Sequence, residues 1–436
     1  MTKEEILKIL VDWNYWGNYK DESIERTKYL KELEGFVNSK EVLVIKGVRR
    51  SGKSTFLLQF VKSFIEKKQI SAKDVLVINF EDPRWVKLNL NLLNKIYEIY
   101  LEELLPSKNH YVILDEIQEI KGWEKFVRFL SEAKKISVFV TGSSSKLLSE
   151  EYATLLSGRH IDLEIYPLCF EEFLLFNDIK IDTKITRIKL RHKIKNLLKK
   201  YFEFGGFPKI ALVKEKEKKA ILENYFRDIL IKDVQRRFEI REVEKLEELA
   251  KYYLTNISTI QSFNKVKDII GLSLDSVQRF SKYFSIARLF FFVPKFSFSL
   301  KQQILNPKKV YTIDVGLKNI VSFRFSKDKG RIMENIVFLE LFKRKYQIFY
   351  WKSIEQKEVD FVVKKDLKIK QLIQVCLNLE ELQTKKREIE ALLSASKKLK
   401  CNNLLVITFD YEAEEKIKEK KINFIPLWKW LLEQKL

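Results

Sequence analysis

Glycine and proline are scarce, at 12 and 7 in 436 residues. A chain so poor in both lacks a long Gly/Ser linker, and its domains are expected to abut through short connections. The three cysteines, Cys169, Cys376 and Cys401, stand far apart and are not accompanied by the three histidines, His110, His160 and His192. That set draws neither a zinc knuckle nor a disulfide framework, so a reducing interior is expected. The most apolar stretch, Ile286 to Val293, contains Arg288 and is far too short to span a bilayer. The opening MTKEEILKIL carries acids and has no signal-peptide core. The expectation is a cytoplasmic protein without membrane contact. Internal repeats and low-complexity tracts are missing as well.

Charge, by contrast, is abundant. Lys and Arg number 82 against 60 Asp and Glu, a surplus of +22. Such a surplus attracts phosphates wherever it clusters, which makes DNA the expected partner. The alternative is a densely solvated Lys/Glu surface. Hydrophobic residues, 46% of the chain, suffice for packed cores, and the length exceeds what one core organises.

Val42-Leu-Val-Ile45 reads as a buried strand, preceded by a helix over Ile24 to Ser39. Three more strands, Val75 to Phe80, Tyr111 to Leu114 and Ser137 to Val140, end at Glu81-Asp82, Asp115-Glu116 and Thr141-Gly142-Ser143. Apolar runs separated by helices predict an α/β fold with a parallel sheet covered on both faces and ligands at the strands' carboxyl ends. This core is assigned residues 1–166. A helical lid over 167–240, broken at Phe204-Gly-Gly-Phe-Pro208, follows. In 241–315, a helix over Ser262 to Gly271 and a Ser-capped helix over Ser273 to Phe284 form a helix-turn-helix pattern. Residues 316–436 alternate strand and helix again.

Gly47-Val-Arg-Arg-Ser-Gly-Lys-Ser54 matches G-x-x-x-x-G-K-[ST] directly after a strand and before a helix. Glycines let backbone N–H groups wrap phosphates, and the helix N-terminus adds a favourable dipole. The predicted ligands are ATP and Mg²⁺, held by Gly47, Arg50, Ser51, Gly52, Lys53, Ser54 and Thr55. Lys53 would reach the β- and γ-phosphates, and Ser54 with Asp115 would hold the metal. Glu116 is expected to polarise the attacking water, as in ATP-hydrolysing P-loop enzymes; the alternative is a charge at a helix N-terminus. Ser143 is placed to sense the γ-phosphate or to cap a turn.

Taken with Ser157-Gly-Arg159, the segments GVRRSGKS, LDEIQ, TGSSS, YFEFGGFP and RDILIKDVQRR resemble a prokaryotic AAA+ ATPase family abundant in archaea. Members of that family carry a C-terminal domain of restriction-endonuclease-like, PD-(D/E)XK fold. The resemblance implies that Arg159 is an arginine finger presented to a neighbour's nucleotide, hence a homo-oligomer, with a hexamer among the options. The alternative is a surface arginine. Arg236 and Arg237 are lid-sensor candidates. The fold expectation is therefore a P-loop AAA+ core with a helical lid, a winged-helix or helix-turn-helix domain and a nuclease-like α/β domain.

In that last domain Glu334, Asp360 and Gln374 are the candidates for a degenerate nuclease site. Its third motif, normally [DE]-x-K, reads Gln374-Val-Cys376, so a metal-binding charge and an ammonium are missing. Lys385 or Lys386 would have to supply the cation from the following helix. Glu358 and Asp360 share a face if both lie in strand. The expectation is a degenerate domain serving binding or assembly. An ATPase acting on DNA in remodelling, translocation or repair is the leading reading, with Lys265, Lys267, Arg279 and Lys282 as DNA contacts or as a merely solvated face. The alternatives are an ATP-dependent regulatory switch that binds a protein partner, and an ATP-gated metal-dependent nuclease.

Overall fold

The computed structural model describes residues 1–36, 39, 41–68, 70–143, 159–321, 328–379 and 381–433. Ser144, Ser145, Ser157 and Gly158 of the motifs quoted above lie outside them. The chain divides into two compact units, Met1–Tyr166 and Pro167–Leu436.

The first unit is built on β1 (Val42–Gly47), β2 (Val75–Asn79), β3 (Tyr111–Asp115), β4 (Ser137–Ser143) and β5 (His160–Glu164). Their order is β2-β3-β4-β1-β5, and every pairing is parallel. Alternate residues of each strand serve opposite faces. Val42, Val44, Leu76, Ile78, Val112 and Leu114 pack with Ile6, Ile9 and Leu10 of helix α1 (Lys3–Trp13) and with Leu93, Ile96 and Tyr100. Leu43, Ile45, Val75, Val77 and Phe139 pack instead against Phe56, Phe60, Val61 and Phe64, which lie on the helix that follows the phosphate loop, Lys53–Lys68. Both faces are covered, which explains why these strands are apolar without alternation. Helix α1 opens with a capping box in which Glu5 N donates to Thr2 Oγ1 and Thr2 N donates to Glu5 Oε2. The helix expected over Ile24 to Ser39 is shorter and runs over Thr27–Glu34. Five of its eight residues are polar or charged, and only Tyr29, Leu30 and Leu33 are buried.

In the second unit, helices Phe170–Leu175, Lys184–Lys189, Arg191–Phe204, Pro208–Leu212 and Glu215–Asp228 come first. The chain then runs through helix Val243–Thr255, β6 (Thr259–Gln261), helices Phe263–Ile270 and Leu274–Ile286, β7 (Phe290–Val293) and β8 (Lys308–Thr312). β8 is the middle strand of an antiparallel sheet ordered β6-β8-β7. Between the two middle helices Gly271 takes φ 72°, and Ser273 caps the second by accepting from Ser276 N at 3.0 Å.

Helix Lys329–Lys343 leads to a mixed sheet of β9 (Gln347–Lys352), β10 (Glu358–Lys365), β11 (Lys368–Cys376), β12 (Leu404–Thr408), β13 (Ala413–Ile417) and β14 (Lys420–Pro426). Its order is β13-β14-β12-β11-β10-β9, with β11, β12 and β14 parallel. Helix Leu382–Leu399 covers one face through Ile389, Leu392 and Ala395, packed on Val359, Leu372, Val406 and Ile422.

Candidate functional sites

β1 ends at Gly47, where a side chain has no room: a Cβ would lie 2.1 Å from Ile165 O and 3.0 Å from Ser51 Oγ. Arg50 and Gly52 take left-handed backbone, at φ 69° and 92°. Such reversals turn successive N–H groups into an anion cradle. Behind the loop, buried Arg26 donates from one guanidinium nitrogen to Ser51 O at 3.0 Å and from the other to Tyr166 O at 2.9 Å. Lys53 and Ser54 open the following helix, and Thr55 is exposed.

The ends of β3 and β4 meet this loop. Ser54 Oγ donates to Asp115 Oδ1 at 3.1 Å, and Thr141 Oγ1 donates to the same oxygen. Thr141 Oγ1 also accepts from Glu116 N at 3.0 Å. Lys53, only 5% exposed, places Nζ 3.6 Å from Glu116 Oε1, and Gln118 Nε2 donates to Glu116 Oε2. Glu116 sits in left-handed backbone at φ 55°, the kind of sparsely populated conformation that tertiary contacts must hold. Burial, with Glu116 adding to it, pushes the Asp115 carboxyl up to about 6, against the pull of Thr141, Ser54 and Lys53. A hydroxyl and a carboxylate side by side are the hard oxygen donors Mg²⁺ takes, with a sequestered ammonium next to them for phosphate. The residues present fit a Mg²⁺–nucleotide. Ser143, the last residue of β4, is buried and in register with Gly47. Thr141 carries more of this geometry than its place in TGSSS suggested.

Over residues 39–174 the chain matches the family model described as AAA domain, and residues 195–328 and 329–430 match two domains of unknown function, DUF8612 and DUF4143. It is 38% identical to the Methanocaldococcus jannaschii protein MJ1544, over 92% of this chain and 90% of that protein. With a Haemophilus influenzae protein it shares 30% identity over 78% of this chain and 84% of that one. The chain belongs to this family of AAA-domain proteins. A looser likeness joins it to the Orc1 protein of Aeropyrum pernix, solved in complex with DNA. There the identity is 11% and the TM-score 0.29, over 74% of this chain and 96% of that one, an overlap on which nothing further rests.

Arg159 of this AAA domain stands at the other end of the sheet from the phosphate loop. Its carbonyl accepts from Val42 N at the start of β1, which puts it about 20 Å from the loop at about 3.3 Å per strand residue. Arg159 is 66% exposed and pairs with Glu132 at 2.8 Å. From there, among the described residues, its side chain makes no contact with the phosphate loop of the same chain. Arg236 and Arg237 belong to the second unit, where Arg237 stacks over the Phe238 ring.

The second unit of the AAA-domain protein corrects the expectation of a missing ammonium. Lys309, from β8, places Nζ 2.7 Å from Glu358 Oε1, 2.8 Å from Asp360 Oδ1 and 2.9 Å from Glu334 Oε1. Its side chain is 2% exposed. Burial alone would drive this ammonium neutral, but Asp360, Glu334 and Glu358 hold it charged and raise its pKa well above the ordinary value. Tyr311 donates to Glu334 Oε1 at 2.6 Å. Burial, then the Asp360 charge, pushes the Glu334 carboxyl up to about 8. Glu358 and Asp360 do share one face of β10. Gln374 Oε1 accepts from Asp360 N at 3.3 Å, and its amide donates to Glu388. Lys385 does not fill the site: it pairs with Glu415 at 2.6 Å, against the Tyr411 and Phe424 rings. Lys386 is exposed. Among the described residues no group of three or more His, Cys, Asp or Glu is arranged to hold a metal. The signal sequence reasoning missed is the second lysine of the short strand Lys308-Lys-Val-Tyr-Thr312, whose side chain is buried.

Of the proposed DNA contacts, Lys265, Arg279 and Lys282 are exposed and Lys267 is half-buried. Arg279 and Lys282 lie three residues apart on the outer face of helix Leu274–Ile286, and Arg279 pairs with Asp275 at 3.3 Å. Among the described residues no helix is long and apolar enough to cross a membrane.

Proposed function

We propose that this AAA-domain protein is a Mg²⁺-dependent ATPase that works on DNA as a homo-oligomer. The grouping of Lys53, Ser54, Asp115 and Glu116 at the carboxyl ends of β1 and β3 carries the reading. Lys53 binds the β- and γ-phosphates, and as it turns to them its hold on Glu116 loosens, leaving that carboxylate to accept a proton from water. Ser54 and Asp115 would hold Mg²⁺, which would neutralise phosphate charge when bound. Arg159, out of contact with its own loop, serves a neighbouring subunit.

The order helix, strand, helix, helix, strand, short helix (Leu300–Leu305), strand over residues 243–312 supports a winged-helix module, with Lys265, Lys267, Arg279 and Lys282 as phosphate contacts. Residues 167–240 serve as the lid, and 316–436 as a degenerate PD-(D/E)XK-like domain without nuclease activity. One experiment tests the core of this reading: ATP turnover of wild type and Glu116→Gln, with and without single-stranded, duplex and branched DNA. The variant keeps ATP binding and loses about a hundredfold or more in rate, and DNA stimulates the wild type. A Glu116→Gln protein that turns over normally removes the catalytic assignment. An ATPase indifferent to every DNA favours a switch that binds a protein partner, a reading supported by the exposed Phe298, Leu300, Ile304 and Leu305 between β7 and β8.

A further inference from the structure

We infer that Glu334, Glu358 and Asp360 form a cation centre whose resident cation is the protein's own Lys309, and that this ammonium fastens β8 to the C-terminal sheet. Three carboxylate oxygens lie 2.7–2.9 Å from one nitrogen, a convergence that a surface ion pair never needs. Lys309 faces Glu334, Asp360 and Glu358 together, and Lys352 stands 3.8 Å from Glu358 as a second cation.

The neighbouring contacts make the centre a joint between two pieces of chain. On β8, Tyr311 bonds to Glu334, while Thr312 N donates to Asn335 Oδ1 at 2.8 Å and Asn335 Nδ2 donates back to Thr312 O at 2.9 Å. Residues 309, 311 and 312 thus all reach helix Lys329–Lys343, and two of them extend to β10, Lys309 through its ammonium and Tyr311 through its ring, 5.8 Å from that of Phe361. The ammonium donates hydrogen bonds to Glu334 and Asp360 and pairs with Glu358 at 2.7 Å, so the carboxylates' need for a cation is met without a metal.

Lys309→Ala tests this, because it removes the cation and leaves space where it stood. Thermal unfolding and Mn²⁺ titration calorimetry are run on the full chain, wild type and variant, in EDTA and in Mn²⁺. Wild type takes up no Mn²⁺ that Asp360→Asn removes, and melts at one temperature in both. In EDTA the variant melts lower by about 10 °C, the scale expected when a buried ion pair loses one partner. Mn²⁺ then binds the variant at one equivalent and recovers most of that loss. One equivalent bound by wild type and abolished by Asp360→Asn overturns the inference, as does an Ala variant that melts like wild type or folds without taking Mn²⁺. Should the Ala variant not fold in either buffer, Lys309→Met decides alone and with Asp360→Asn. Removing ammonium and carboxylate together recovers part of what the Met variant loses, and a double variant no more stable than the single one overturns the inference.

Discussion

Replacing Glu334 by Gln should make the second unit's stability less sensitive to pH, and the direction follows from where the carboxyl titrates. Gln keeps an oxygen to accept from Lys309 and Tyr311, so it imitates the neutral acid. In the folded protein burial raises the Glu334 pKa to about 8 from an ordinary 4.5. Below the lower value the acid is protonated whether folded or not, and burial of the group costs little. Between the two values the unfolded chain has lost the proton that the folded chain retains, so folding takes one up and stability falls as pH rises. Above the upper value both states are ionised and the full cost is in place. One proton is worth about 1.4 kcal/mol per pH unit, so the variant gains on wild type across this window, by a total on the order of 3–5 kcal/mol. Urea unfolding between about pH 5 and pH 9, followed by the fluorescence of buried Trp351, Trp428 and Trp430, measures the gap. A gap that stays constant across the window would refute the reasoning.

Three further outcomes are expected. Gly47→Ala should weaken ATP binding about a hundredfold by calorimetry, because its Cβ, 2.1 Å from Ile165 O, forces the loop to move on the order of 1 Å; unchanged affinity would show that the loop has slack. Since the Asp115 carboxyl titrates near 6, Mg²⁺–nucleotide affinity should fall as pH drops through that value and level off above it, with proton release on binding only on the acid side. Mixing Arg159→Ala with Lys53→Ala subunits, each inactive alone, should restore part of the turnover, whereas full wild-type activity in Arg159→Ala alone would show that this arginine reaches no nucleotide.

Much of the first unit was legible because its strands announce themselves. β1 to β4 each carry an unbroken apolar run, and each of β1, β3 and β4 ends in residues whose chemistry fits a phosphate site. β5 was hidden: His160-Ile-Asp-Leu-Glu164 mixes charge with apolar residues, as an edge strand covered on one side is free to do. The hairpin β13–β14 hid in the same way, behind Glu414, Glu415, Lys416, Lys420 and Lys421. Lys309 was illegible for a different reason. Motif reasoning looked for the ammonium two residues beyond Gln374, whereas the fold brings it from 25 residues before Glu334 and 51 before Asp360. Nothing local marks a partner at that separation.

The Lys309 joint bears on how such chains are inherited. The stretches matched as two separate domains meet between residues 328 and 329. Lys309 lies in the first and its carboxylates in the second, so the ionic centre straddles the seam. A recombinant that exchanged only the second stretch would receive three acids whose counterion was encoded in the part left behind, or a buried lysine with none to receive it. Either product carries uncompensated charge in its interior, a defect of several kcal/mol in a fold with on the order of 5–15 kcal/mol to lose. The seam drawn by sequence similarity is therefore a poor place to cut: the two stretches are expected to descend together, and a chimaera spliced there to need Lys309 restored before it folds.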